Sequence, residues 1–270
     1  MEMMRSAENK HFVLVHGFGQ GAWCWYKLIP LLRLSGNRVT ALDLAGCGNH
    51  RKQIDEVATV FQYVEPLFNF MSALPRDEKV VLVGHSYGGI PVSLAMQKFP
   101  ERISVAVFVS AYMPGCKSPP ATLIQEYFRR NTADSLMDCE VMFERGLENP
   151  PTSAIFGPNF MKAILYKDCK EEDLELAKML MRPNGFYVED LAKESLLTEG
   201  KYGRVKRAYV VCEDDEVMRE EFQKYNIENS PPDEVKSIAG APHMVMLSKP
   251  QELCISLLEL ADKYSSSDKF

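Results

Sequence analysis

The sequence predicts an α/β protein: a mostly parallel central sheet flanked by helices, with a long helical insertion late in the chain. Three observations carry that expectation. Apolar, β-prone runs alternate with segments of helical periodicity, the pattern of parallel strands joined by helical crossovers. One of those runs, Lys79-Val80-Val81-Leu82-Val83, stops on Gly84-His85-Ser86-Tyr87-Gly88 and passes directly into a helical pattern. Between the fourth and fifth strand runs lies a stretch too long to be a loop in a compact domain, with no strand-like alternation.

Taken in order, Phe12–His16 reads as the first strand and runs into the turn Gly17-Phe18-Gly19-Gln20-Gly21. Residues Trp23–Leu34 have helical spacing, Arg38–Asp43 is the second strand, and Gly46-Cys47-Gly48 breaks the chain behind it. A helix over Val57–Ala73 leads to the third strand, and Pro91–Met96 continues as a helix. Ile103–Val109 is apolar enough to be covered on both faces. The insertion spans 114–200, with helical patterns at Ala121–Arg130, Glu171–Met181 and Val188–Leu197 between proline breaks. Lys206–Val211 and Val235–Ile238 are the last two strands and Gln251–Tyr264 the closing helix. The expected organisation is a core in two parts, 1–113 and 201–264, a helical lid over 114–200, and a frayed polar tail at 265–270.

Composition restricts the function classes. A chain of 270 residues with 46% hydrophobic and 25% charged residues suits one large globular α/β domain. A net charge of -6 without a basic stripe argues against a nucleic-acid partner. Met1–Glu8 lacks an apolar core of signal-peptide length, and no apolar run approaches a membrane span. Seven cysteines without a Cys-x-x-Cys pair fit a reducing, cytoplasmic setting better than a disulfide frame or a zinc site. Each reads as a small buried hydrophobe.

Gly-x-Ser-x-Gly between a strand and a helix has the form of a nucleophile elbow, a sharp turn that lifts the serine hydroxyl clear of the sheet. A serine needs a base within reach and a group to orient that base. The chain has five histidines, and in this architecture the base follows the serine in sequence. His11, His16 and His50 precede Ser86, and His85 is in the elbow itself, which leaves His243 on the loop after the last strand. The acid belongs at the end of the strand before it, where Glu213-Asp214-Asp215-Glu216 follow Lys206–Val211. The residues alone leave Asp214 and Asp215 open. An oxyanion hole would draw on the Tyr87 N–H and on an N–H of the first turn, that of Phe18.

His16-Gly17, Gly21-Ala22-Trp23-Cys24-Trp25-Tyr26-Lys27-Leu28, Gly84–Gly89, Ile103–Phe108, Glu221-Phe222-Gln223 and His243–Ser248 together resemble the plant methylesterase and hydroxynitrile lyase family of α/β-hydrolases. The resemblance runs from Lys10 to about Ala261, and Glu172–Leu180 and Lys206–Tyr209 carry a closer likeness to its alkaloid-ester branch. It implies an α/β-hydrolase fold with a helical lid. Counting back seven residues from Phe222 by the family's spacing gives Asp215 as the acid, hence a triad of Ser86, Asp215 and His243. The lyases of the group carry Thr and Lys at the places held here by Gly17 and Met244, neither of which can hydrogen-bond a cyanohydrin or hold cyanide charge. Phe18, Pro242 and Glu216 depart from the family's usual small residue, Asp and Lys.

The expected activity is therefore a serine carboxylesterase acting on the methyl ester of a small plant metabolite, a monoterpenoid indole alkaloid ester first, with decarboxylation of the product to follow. No metal or cofactor enters this chemistry. The substrate pocket is expected to be apolar and to draw on Gly17, Phe18, Leu123, Phe128, Phe156, Phe160, Met179 and Met244. The alternatives are a relative recruited as a decarboxylase/cyclase or hydroxynitrile-type lyase, and a non-catalytic small-molecule receptor. The expected partner is the ester alone, and the resemblance implies a homodimer as the assembly.

Overall fold

In the computed structural model, residues 9–265 are described. Six strands, β1 (His11–Val15), β2 (Arg38–Leu42), β3 (Val80–His85), β4 (Ile103–Val109), β8 (Arg207–Cys212) and β9 (Glu234–Ile238), form one sheet in the order β2-β1-β3-β4-β8-β9. Every neighbouring pair in it is parallel. Central β1 and β3 are buried at every residue, which is why they read as unbroken apolar runs. The edge strands β2 and β9 are partly exposed, and polar residues interrupt their apolar ones: Arg38 and Thr40 in β2, and Glu234, Lys236 and Ser237 in β9.

The chain leaves β1, forms β2 on one side and returns to place β3 on the other. The carboxyl ends of β1 and β3 thus diverge at a topological switch point, where sheets of this kind bind ligands. Helix Gly89–Lys98 buries eight of its residues against β3 and β4. Helix Pro250–Ser265 packs on β4 and on helix Leu28–Leu34.

Between β4 and β8 the insertion holds helices Ala121–Arg130 and Glu171–Leu180 as expected, but it is not wholly helical. Strands β5 (Glu140–Met142), β6 (Ser153–Ile155) and β7 (Asn184–Gly185) make a small antiparallel sheet in it. Strands this short contain too few residues to alternate visibly. Three other helices are shorter than the periodicity suggested. Val188–Leu197 is helical only to Leu191, and Ser195 beyond it takes a left-handed φ of 57°. The 23–34 run divides into a 3-10 turn at Ala22–Trp25 and helix Leu28–Leu34. The 57–73 run divides into Val60–Tyr63 and Glu65–Ala73, the second starting with a proline in its first turn.

All seven cysteines are free; Cys116, Cys139 and Cys169 are only half-buried, unlike the fully buried small hydrophobes expected. Among the described residues no helix is long and apolar enough to cross a membrane. The closing helix runs to Ser265; the rest of the expected tail, and the Met1–Glu8 segment, lie outside the described residues.

Candidate active site

Ser86 sits at the carboxyl end of β3 with φ 54°, the left-handed conformation of a strained strand-to-helix turn. The flanking glycines make that turn feasible by close approach. A Cβ on Gly84 would come within 2.7 Å of the Val92 side chain, and one on Gly88 within 2.5 Å of the His16 carbonyl. Either would push the elbow away from its neighbours.

His243 follows β9 and Asp215 follows β8, the adjacent strand, so parallel pairing brings their loops together. The His243 Nδ1 lies 2.6 Å from Asp215 Oδ2. Asp215 is buried, whereas Glu213 and Asp214 are exposed and Glu216 pairs with Lys167 on the insertion. The carboxylate is fully engaged: Oδ1 accepts from the Val217 and Met218 N–H groups, each at 2.8 Å, and Oδ2 also accepts from Ser110 Oγ at 2.6 Å. Burial by itself would raise the Asp215 pKa; the facing His243 and the bonds from His243, Ser110 and Met218 outweigh it and hold the carboxyl below its ordinary value. Ser110, at the end of β4 with φ 37°, was not singled out from the sequence, and no motif marks it.

The other four histidines have structural work. His11 bonds Glu78 and Thr40, and His50 Nδ1 accepts from the Gly46 and Lys52 N–H groups. His16 donates through Nδ1 to the Gly17 carbonyl at 2.8 Å and accepts from the Leu44 N–H at Nε2, which fixes the glycine turn. Burial lowers its pKa, so it stays a neutral tether. His85 donates from Nε2 to the His243 carbonyl at 2.9 Å.

β1 pairs directly with β3, so the Gly17-Phe18 turn adjoins Ser86: a Cβ on Gly17 would stand 2.9 Å from the Ser86 Cβ. The Phe18 N–H has no partner among the described residues, and Tyr87 occupies the first turn of a helix, where N–H groups lack intrahelical acceptors. The insertion grips this turn from the far side. Asn184 Oδ1 accepts from the Gly19 N–H at 3.3 Å, from Cys47 Sγ and from Tyr63 OH, while the Arg182 N–H donates to the Gly19 carbonyl at 3.1 Å.

Over Ser86 lies an apolar cavity of about 60 Å³ between the sheet and the insertion. Of the residues expected there, Phe18, Phe128 and Phe156 line it. Gly17 and Met244 line a smaller adjoining cavity that also touches Ser86 and His243. The remaining three are elsewhere. Leu123 is buried in the core, Phe160 stacks behind Phe156 at 5.3 Å, and Met179 is 74% exposed because its helix turns that residue to solvent. The Phe18 ring stacks on Phe186 at 4.8 Å and meets Tyr87 edge-on at 5.5 Å, which narrows the cavity. Tyr112, Tyr127, Phe186 and Met218 complete much of the wall and went unnoticed in the sequence. Tyr127 precedes Phe128 in a recognised helix; the others follow strand ends and carry no pattern.

The model of the alpha/beta hydrolase family matches residues 12–255. Methylesterase 10 of Arabidopsis thaliana is 53% identical over 97% of this chain and 95% of its own length. Methyl jasmonate esterase 1 of Vitis vinifera is 51% identical over 95% and 98% respectively. Among solved structures, polyneuridine aldehyde esterase is 46% identical, with a TM-score of 0.90 over 94% of this chain and 100% of that one.

Proposed function

The chain belongs to the alpha/beta hydrolase family, in its plant methylesterase group, and from that premise we propose that Ser86, His243 and Asp215 cleave the methyl ester of a small plant metabolite. One observation carries the reading: Ser86, in a strained elbow, and His243, bonded to the buried Asp215, line one small cavity that adjoins the aromatic cavity over Ser86.

Ser86 Oγ attacks the ester carbonyl carbon as its proton passes to His243 Nε2. Asp215, bonded to Nδ1–H, holds the imidazole in the tautomer that can accept, and stabilises the imidazolium that forms. The Phe18 and Tyr87 N–H groups receive the oxyanion. The imidazolium then protonates the departing methoxide, methanol leaves, and water releases the acid from the acyl-enzyme. Gly17 and Met244, beside Ser86 and His243, offer neither a hydroxyl nor a cation, which favours hydrolysis over cyanohydrin cleavage.

The likeness to polyneuridine aldehyde esterase supports a monoterpenoid indole alkaloid ester as substrate, with loss of carbon dioxide from the resulting acid. The narrow cavity favours a second reading. At about 60 Å³, with Phe18 across it, it suits a compact, flat acyl group better than a polycyclic one, since cavities for drug-sized ligands run to roughly 300–1,000 Å³. Mass spectrometry of methyl esters of one-ring acids and of alkaloid acids, with wild type and Ser86→Ala, separates these. Ser86-dependent hydrolysis of the one-ring esters alone supports the compact substrate. Hydrolysis of the alkaloid ester with a decarboxylated product supports the other, and turnover that survives Ser86→Ala refutes the acyl-enzyme route.

A further inference from the structure

The smaller cavity beside the triad, about 10 Å³, is on the scale of one water molecule, and Gly17, Gln20, His85, Ser86 and His243 are among the residues that line it. Two of these residues bring polar atoms that no group among the described residues satisfies. Gln20 is 2% exposed; its Oε1 accepts from Tyr166 OH at 2.9 Å, and its buried Nε2 has no partner. His85 is fully buried; its Nε2–H is spent on the His243 carbonyl, so Nδ1 is a bare acceptor, also unpartnered. Burial, followed by the nearby His243, holds the His85 pKa at about 3, so that nitrogen stays an acceptor at neutral pH. Gly17 leaves it uncovered, since a Cβ there would stand 3.2 Å from His85 Nδ1. Buried donors and acceptors are almost always paired, so an orphan donor and an orphan acceptor on one water-sized cavity call for a guest that accepts from one and donates to the other.

We propose that Gln20 and His85 seat the water that hydrolyses the acyl-enzyme, with Gln20 as its positioning residue; this rests on the esterase reading above. The water accepts a hydrogen bond from Gln20 Nε2 and donates one to His85 Nδ1, keeping that proton. Its other proton passes to His243 Nε2 as its free lone pair attacks the acyl carbon. The tetrahedral intermediate then collapses, breaking the bond to Ser86 Oγ, and His243 returns the proton to that oxygen as the acid departs.

The test is stopped-flow hydrolysis of p-nitrophenyl acetate, with intact mass to detect acetyl-enzyme, on wild type, Gln20→Met and Gln20→Glu. Gln20→Glu keeps the shape and the acceptor for Tyr166 while removing the amide donor, so it serves if Gln20→Met does not fold. Acylation draws on no water, so the burst rate is expected to stay within about twofold of wild type. The steady-state rate is expected to fall about tenfold or more as acetyl-enzyme accumulates. Burst and steady-state rates falling together, or neither changing, would overturn the water seat and leave the esterase reading standing. A wild type that forms no Ser86 adduct and hydrolyses no ester would instead overturn that reading, and the water seat with it.

Discussion

Replacing Asp215 by Asn keeps the shape of the acid and reverses the chemistry it imposes on His243. Two backbone N–H groups, from Val217 and Met218, converge on Oδ1 at 2.8 Å each, and both require an acceptor there. The asparagine oxygen must therefore occupy that place, which puts its NH₂ where Oδ2 now faces His243 Nδ1 at 2.6 Å. An amide nitrogen only donates. His243 Nδ1 must then become the acceptor and its proton move to Nε2, the atom that accepts from Ser86 in the proposed mechanism. The expected loss is that of a triad locked in the wrong tautomer, about 10⁴-fold in kcat, or about 5.5 kcal/mol of barrier. Asp214→Asn is the control, because that carboxylate is exposed and its backbone N–H, not its side chain, bonds the Ala241 carbonyl. Steady-state hydrolysis of a methyl ester by both variants, with thermal melts to verify folding, decides the matter. Asp215→Asn retaining more than about a tenth of the wild-type rate, or Asp214→Asn losing as much, would refute the reasoning.

Three further outcomes are expected. Ser110→Ala removes one of the bonds that hold the Asp215 carboxyl below its ordinary value, so it should cost about 1–3 kcal/mol in urea denaturation at pH 7. Because that folded-state pKa is depressed, this contribution is present above the unfolded carboxyl pKa of about 3.9 and lost as pH falls through the lower folded value. The cost of Ser110→Ala should therefore shrink as pH falls below about 3.9, and a pH-independent cost would exclude a bond to the charged carboxylate. Wild type should release no appreciable cyanide from mandelonitrile. Gly17→Thr with Met244→Lys should depress methyl-ester hydrolysis, because a Lys beside His243 disfavours the imidazolium and a side chain at 17 presses on the Ser86 Cβ; efficient cyanide release by wild type would sink the choice of esterase over lyase.

The parts of this site that were legible in the sequence are those where one local rule decides. The apolar run of β3 ending in Gly-x-Ser-x-Gly admits few other structures, and the glycines stand where neighbouring atoms leave no room for a Cβ. His243 could be reached by elimination because the chain offers only five histidines and one follows Ser86. Asp214 and Asp215 could not be separated by the residues alone. They share one turn, and what distinguishes them is Ser110 Oγ, 105 positions away in sequence, and two N–H groups whose direction depends on the turn's backbone. The pocket was harder still. Its walls come from strand ends and from an insertion whose strands are too short to alternate, so apolar residues facing the cavity, such as Phe186, look like any others, while Met179 points outward. Gln20 read only as part of a glycine turn; its significance lies in what fails to meet its amide nitrogen.

The most direct test of the central claim is the rate of methyl-ester hydrolysis by Ser86→Ala, measured beside a search for an acyl adduct on Ser86 of the wild type. The account predicts an adduct at Ser86, a melting temperature little changed, and a rate lower by about a thousandfold or more, since only oxyanion stabilisation and binding remain. A variant that keeps more than about a tenth of the wild-type rate would contradict it, because the nucleophile would then lie elsewhere.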